Sequence, residues 1–449
     1  MVSAAEQLAA NLNFGAFAKA TELKKRLWFT LGALIVYRLG TYIPLPGIDP
    51  TILEDIFRQQ QGGILGMFNM FAGGALGRMT IFALNIMPYI SAAIILQLMT
   101  SVSPTLGQLK KEGESGRKKI NQYTRYLTVV IAALQAYGVA VGIEGMSGST
   151  GAAAVLDPGY FFRFTTVISL VGGTVFLMWL GEQITARGVG NGTSLIIFAG
   201  IVAGLPQALV STLELGRTGA LSSAFIGILL IASVAIVYGM VWFERAQRRI
   251  IVQYPKRQVG NKMFGGEATH LPLKINTSGV IPLIFASSIL LMPITFISFT
   301  AQQGGGVLAE IAAWMGRGSV SYLGLYAALI IFFAFFYTAV VFNPVDTADN
   351  LKKYGGFIPG IRPGKNTAEY LDYVLTRLTV IGAAYLVAVA ILPEILISQY
   401  AVPFFFGGTR LLIVVSVTLD TVAQIQSHLL AHQYEGLIKK SRLQGGRRR

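Results

Sequence analysis

The sequence predicts an all-α, polytopic membrane protein: ten transmembrane helices in two inverted five-helix halves, plus a short re-entrant helix. Three observations carry this prediction. Of the 449 residues, 53% are hydrophobic and 13% are charged, and mean hydropathy is +0.59; soluble chains carry about 25% charged residues. The apolar residues are gathered into runs of about 17–25, the length a helix rising 1.5 Å per residue needs to cross about 30 Å of hydrocarbon. Most of the 36 Lys and Arg fall in alternate connections and in the two tails, which by the positive-inside rule places both termini in the cytoplasm.

In order, the expected spans are Leu27–Ile43, Thr80–Met99, Tyr126–Gly142, Phe161–Leu180, Thr193–Leu213, Leu221–Phe243, Gly279–Phe299, Tyr322–Phe342, Leu378–Ile397 and Leu411–Leu430. They divide the chain into an amphipathic N-terminal segment (1–26), a first half (27–213), a second half (214–430) and a basic tail (431–449). The first run follows Lys24-Lys25-Arg26 as a signal peptide would, but no small-residue cleavage site follows it, so it is read as a retained span. Ile64–Leu76 is about 20 Å as a helix, too short to cross, and is expected to be re-entrant or interfacial; Gly73, Gly74 and Gly77 supply hinges after it.

The second and seventh spans echo each other. Pro88, Ile90, Ala92, Ile95 and Leu96 are spaced as Pro282, Ile284, Ala286, Ile289 and Leu290 are. Five spans per half is an odd number, so two such halves insert in opposite orientations, the inverted repeat of membrane transport proteins with the pathway between the repeats. Each proline, read as helix-interior, is expected to free a backbone carbonyl and create a weak point.

The chemistry of pumps and carriers is missing from the sequence. Gly364-Lys365-Asn366-Thr367 lacks the Ser or Thr that a P-loop carries after its Lys, and Gly188-Val189-Gly190-Asn191-Gly192 fails as a dinucleotide fingerprint. Cysteine is absent, and His270, His428 and His432 have no metal-ligand spacing, so no metal, cofactor or catalytic residue is expected. An ion-coupled carrier should bury charge near the midplane; Asp420 is the one acid well inside a span, expected at a helix contact or near cytoplasmic water. Arg38, Arg163, Glu182 and Glu394 lie near span ends, where snorkelling is the expectation.

Two long loops, 244–278 and 343–377, are basic. Arg245, Arg248, Arg249, Lys256, Arg257, Lys262 and Lys274 occupy the first; Lys352, Lys353, Arg362, Lys365 and Arg377 occupy the second. Orientation needs only a few charges beside helix ends, so loops this long suit phosphate backbones, acidic protein surfaces or anionic lipid.

Several strings resemble the bacterial SecY family of protein-conducting channels: Ile86-Met87-Pro88-Tyr89-Ile90-Ser91, the segment 110–117 (KKEGESGR), Gln122-Tyr123-Thr124-Arg125-Tyr126, the segment 179–185 (WLGEQIT), Val280-Ile281-Pro282, the segment 347–353 (TADNLKK) and Pro359-Gly360-Ile361-Arg362-Pro363-Gly364. The resemblance implies a non-enzymatic pore subunit in the bacterial inner membrane that passes unfolded polypeptide and releases hydrophobic segments sideways into lipid. It also implies SecE and SecG as small membrane subunits, with the SecA motor, the ribosome and signal sequences as partners. The family's pore ring then falls on Ile86, Ile90, Thr193, Ile197, Ile284 and Ile413, and its plug on Ile64–Leu76, with Ile64, Leu65, Met67, Phe68, Asn69, Met70 and Phe71 as the named residues. The lateral gate falls on Pro88, Ser91, Asn276, Thr277, Pro282 and Ser287. Motor and ribosome contacts fall on Lys256, Arg257, Lys262 and Arg362. Thr193 departs from the family's usual isoleucine, and Asn85 stands where Gly is frequent.

Overall fold

The computed structural model describes residues 21–49, 51–53, 69, 72–144, 153–218, 222–255, 257–259, 262–264, 268–290, 319–400 and 408–445. Helices α1 (Thr21–Gly40), α2 (Met87–Val102), α3 (Pro104–Lys111), α4 (Glu114–Glu144), α5 (Tyr160–Arg187), α6 (Gly192–Arg217) and α7 (Ser223–Arg245) come first. Four strands follow, β1 (Gln247–Gln253), β2 (Arg257–Val259), β3 (Lys262–Phe264) and β4 (Ala268–Lys274). The rest is helical: α8 (Ile281–Leu290), α9 (Val320–Val341), α10 (Pro344–Lys353), α11 (Lys365–Tyr400) and α12 (Gly408–Gly445).

Each predicted span falls on one of these helices. By length and composition, however, seven among the described residues can cross a membrane alone, or eight if α2 and α3, bent 99° apart, form one span. The shortfall has local causes. Helix α1 spends its first turns on Lys24, Lys25 and Arg26, α2 is 16 residues long, and the predicted seventh span beyond Leu290 lies outside the described residues.

The described residues divide into two compact units. One holds those up to Pro206 and from Val417 onward; the other holds Gln207–Leu291 and the described residues up to Ser416.

In the first unit α4 packs antiparallel on α5, and two ion pairs close the pair at both ends. Near one end Arg125 donates to both carboxylate oxygens of Glu182 (3.0 and 2.7 Å); near the other, Arg163 meets Glu144 at 2.6 Å while Gly159 N donates to the second Glu144 oxygen. Arg163 and Glu182 are therefore paired, not snorkelling, because each has an opposite charge within bidentate reach. Asp420 is exposed.

Phe82 wedges between α1 and α5, stacking on Tyr37 (6.2 Å) and on Phe176 (5.8 Å). Gly40 and Gly173 make room for it: a Cβ on Gly40 would strike the Phe82 ring, and one on Gly173 the Ile81 carbonyl. Backbone pairing of Pro44 with Thr80 and of Ile48 with Val155 covers this end. There Asp49 accepts from the hydroxyl and amide of Thr51, which holds its carboxyl below the usual carboxylate range.

In the second unit α9 and α10 pack on α11. Phe243 of α7 stacks on Tyr385 of α11 with centroids 3.8 Å apart. The loop 244–278 is not irregular: β1 and β4 pair antiparallel from Gln247↔Lys274 to Gln253↔Ala268, and β2–β3 form a second two-stranded pair. The spans are helical as expected, and this β-ribbon is an addition to the all-α reading. Its signal was the alternation of Ile250 and Val252, and of Leu271 and Leu273, which turns one apolar face inward (Leu271 half-buried, the others buried).

Candidate pore site

The expected second span begins late. Thr80 pairs with Pro44, residues 81–86 run as turns and α2 starts only at Met87, because Met79 and Asn85 take left-handed backbone angles (φ +45° and +51°) that no helix continues. Pro88 therefore occupies the first turn of α2, where its missing N–H is not needed. The start of α8 repeats this. Gly279 (φ +60°) stands three residues before Pro282, as Asn85 does before Pro88, and Pro282 is the second residue of its helix. The expectation of helix-interior prolines that free a carbonyl is thus corrected for both.

Both helix starts place the same side chain. Ile90 N donates to Ile86 O at 3.1 Å, and Ile284 N donates to Val280 O at 3.3 Å, so each isoleucine sits in the first turn after a left-handed residue. The departure at Asn85 is explained by the same geometry: asparagine tolerates the left-handed region better than any other residue except glycine.

Of the six expected ring residues, Ile86, Ile90, Ile197, Ile284 and Ile413 are buried and Thr193 is half-buried. In the first unit the structure brings two of the contributing elements together. A Cβ on Gly181 of α5 would lie 3.6 Å from Ile86 Cδ1, 3.6 Å from Ile196 Cδ1 and 3.5 Å from Thr193 N. Gly192 abuts the Gly181 carbonyl so closely that any side chain would collide. Thr193 donates its N–H to Asn191 Oδ1, and Gly192 N donates to Thr185 Oγ1, which fixes the start of α6. The Gly188–Gly192 turn is itself clamped: Val189 N donates to Thr30 Oγ1 of α1 (3.0 Å) and Gly190 N to Gln424 Oε1 of α12 (2.9 Å). Ile284 and Ile413 belong to the second unit.

Among the expected gate residues, Ser91 and Ser287 are buried, and Ser287 Oγ donates to Ile284 O within its own helix. Asn276 is a hub that the sequence did not signal. Its Nδ2 donates to Glu244 Oε1 (2.8 Å) and to Gly279 O (3.1 Å), while its Oδ1 accepts from Ser278, tying the end of β4 to α7 and to the left-handed residue before α8. Thr277 caps back onto Lys274 O. Of the expected plug, Asn69 and Ala72–Leu76 are described. Asn69 Oδ1 accepts from Gly77 N at 2.6 Å, and 72–76 form turns. Ile64, Leu65, Met67, Phe68, Met70 and Phe71 lie outside the described residues.

The two basic loops form one module. Gln253 and Phe357 exchange both backbone hydrogen bonds at 2.9 Å, and Ile250 and Leu273 of the ribbon pack with Ile358 and with Leu371, Val374 and Leu375 of α11. Arg362 is exposed on a loop whose Gly360 and Gly364 have φ +83° and +107°, and whose Ile361 is anchored against that apolar cluster. Arg257 and Lys262 fall on β2 and β3; Lys256 lies outside the described residues.

Among the described residues, seven or eight helices long and apolar enough to cross a membrane, with matched helix starts and buried branched side chains, define the class of multi-pass helical membrane proteins. Comparison with known proteins makes this specific. Residues 80–422 match the SecY family model. The chain is 56% identical to Protein translocase subunit SecY of Rickettsia conorii, covering 94% of this chain and 97% of that one, and 56% identical to the Escherichia coli K12 subunit of the same name, covering 94% and 96%. Among solved structures it resembles a protein conducting channel (TM-score 0.62, 18% identity, 90% and 92% covered) and Sec61 in the canine ribosome–channel complex of the endoplasmic reticulum (TM-score 0.59, 17% identity, 90% and 92% covered). The chain belongs to the SecY family, and its function is that of a protein translocase subunit.

Proposed function

We propose that this chain lines the translocation pore in the bacterial plasma membrane with both termini cytoplasmic, and that Ile86, Ile90, Thr193, Ile197, Ile284 and Ile413 form its waist. The observation that carries this reading is the equivalence of Ile90 and Ile284, delivered in each half by the same left-handed residue and first-turn proline. Branched apolar side chains around a narrow opening exclude water and ions by dewetting, yet yield to an extended chain, so the seal needs no specific binding chemistry. Thr193 adds a hydroxyl to that ring and makes it slightly wetter.

In this reading the segment 64–76 stops the waist at rest, and α2 and α8 part to admit a signal sequence. Polar chain crosses, while stretches of about 20 apolar residues leave between the helices into lipid, where they are more stable than in a wet pore. The role calls for no catalysis and no cofactor. The basic module, with Arg362 at its exposed turn, is the docking side for a ribosome or the SecA motor; the canine ribosome–channel likeness supports the first. SecE and SecG are the expected small partners.

The test is a translocating chain stalled in the reconstituted complex, with a photo-crosslinking residue at Ile90, at Ile284 or, as a control, at Met99, which is 47% exposed. Adducts to the stalled chain are expected from Ile90 and Ile284, and lipid adducts from Met99. Equal labelling of the chain from Met99, or none from the two isoleucines, would remove the pore assignment.

A further inference from the structure

One side of α1 carries an exposed stripe that continues two residues past its end. Trp28, Leu31, Ile35, Leu39 and Tyr42 recur at intervals of three and four, the spacing of one helix face, and each is between 52% and 73% exposed. From Arg26 to Tyr42 the chain rises about 24 Å, so the stripe runs from one membrane surface toward the other.

Tyr42 is where the stripe meets charge. Arg38 Nη2 donates to its hydroxyl at 3.0 Å with the guanidinium carbon 5.0 Å from the ring centre, and the Arg78 guanidinium lies 4.3 Å from the same centre. Both cations are held in place by the backbone of one turn. Gly73 and Gly74 are consecutive left-handed residues (φ +64° and +84°); Arg38 Nη1 donates to Gly73 O at 2.9 Å, and a Cβ on Gly74 would lie 3.3 Å from Arg78 Nη2. Leu76 and Met79, beside Arg78, are buried.

Neither cation is neutralised. Among the described residues no carboxylate pairs with Arg38 or Arg78, and Arg78 Nη1 is buried without a hydrogen-bond partner. Two guanidinium groups on one ring repel each other, and they stand at the end of α1 opposite Lys24, Lys25 and Arg26, where the positive-inside bias disfavours them. The Tyr42 oxygen accepts from Arg38 and still has its own O–H to donate. An exposed hydroxyl backed by two fixed guanidinium charges suits a phosphate oxygen.

We propose that Arg38, Tyr42 and Arg78 form a headgroup site for an anionic phospholipid whose acyl chain lies along Leu39, Ile35 and Leu31. The occupant is a lipid and not a free anion because the apolar stripe leads into the charged cluster without a break, matching chain and headgroup of one molecule in order. The phosphate supplies the missing counter-charge, and the lipid anchors both the end of α1 and the turn that carries Arg78.

The experiment uses the complete purified complex in vesicles of phosphatidylcholine and phosphatidylglycerol, with brominated acyl chains on one lipid at a time. The chain has no native cysteine, so Leu39→Cys carries a single fluorophore on the stripe, and Ile168→Cys on α5, 55% exposed and on a helix whose Arg163 is paired, carries the control. Bromine quenching gives the preference for phosphatidylglycerol at each position. It is expected to be about twentyfold higher at Leu39 than at Ile168, with about fivefold from each arginine. Arg78→Gln should lower it about fivefold and Tyr42→Phe about threefold; Tyr42→Phe, at an exposed ring, carries the test if Arg78→Gln does not assemble. Equal preference at the two labels, or a Leu39 preference that both variants keep, overturns the site. Loss of the preference on adding millimolar inorganic phosphate at constant ionic strength overturns it in favour of a free anion. A Leu39 label that neither lipid quenches overturns it in favour of a protein subunit covering the stripe.

Discussion

Helices α2 and α8 begin on one shared backbone course reached by different side chains. Both place a left-handed residue three positions before a first-turn proline and an isoleucine two positions after it. The flanks diverge. Asn85 is buried, whereas Gly279 has open space around its missing Cβ. Ser91 corresponds in register to Phe285, which packs edge-on against Phe333 and Tyr337 at 5.7 and 6.2 Å. What recurs is the device that aims an isoleucine; what differs is how each helix packs in its own unit. That separation is what an inverted repeat should leave behind, with the backbone course kept in both copies while their neighbours differ.

The comparison breaks most readily at the left-handed residues. Gly279→Val is expected to cost about 2 kcal/mol, chiefly through backbone strain, because nothing lies within 4 Å of a Cβ placed there, and Asn85→Val at least as much. Denaturant unfolding of the complex in detergent measures both, and a neutral Gly279→Val would mean that the shared angle is not what holds the start of α8. A smaller effect is expected at the prolines. Pro88→Ala and Pro282→Ala should each cost less than about 1 kcal/mol, since a first-turn proline gives up no hydrogen bond; a loss near 3 kcal/mol at either site would restore the interior-kink reading. Smallest of all is Asn85→Gly. Stability should change by a few tenths of a kcal/mol at most, as glycine gains the angle but loses backbone order in the unfolded chain. A large loss would show that the buried asparagine side chain, not its backbone, is what the position uses.

The charged span-end residues show where sequence reading stopped. Arg163 and Glu182 are far from Glu144 and Arg125 in sequence, and only the antiparallel packing of α4 on α5 makes them ion pairs. Arg38 gave no sign of reaching Gly73, 35 residues away. The β-ribbon was legible in the alternation around Ile250 and Leu273, but basic residues dominate that loop's composition and masked the period. The fusion of the two basic loops through Gln253 and Phe357 left no sequence trace, because a backbone pair carries no side-chain signature.

By itself the sequence determined the solvent, the placement of the spans and the echo between the second and seventh of them. Each of these follows from local chemistry: apolar run length against bilayer thickness, Lys and Arg in alternate connections, and the spacing of proline and isoleucine along one segment. Family membership was likewise written in short contiguous strings. Only the tertiary structure decided that the paired prolines begin helices, that Asn85 does the work of a glycine, and that Tyr42 gathers Arg38 and Arg78 over a two-glycine turn. Those depend on backbone angles and on contacts between segments far apart in the chain, and a residue's type restricts its φ and its neighbours without choosing them.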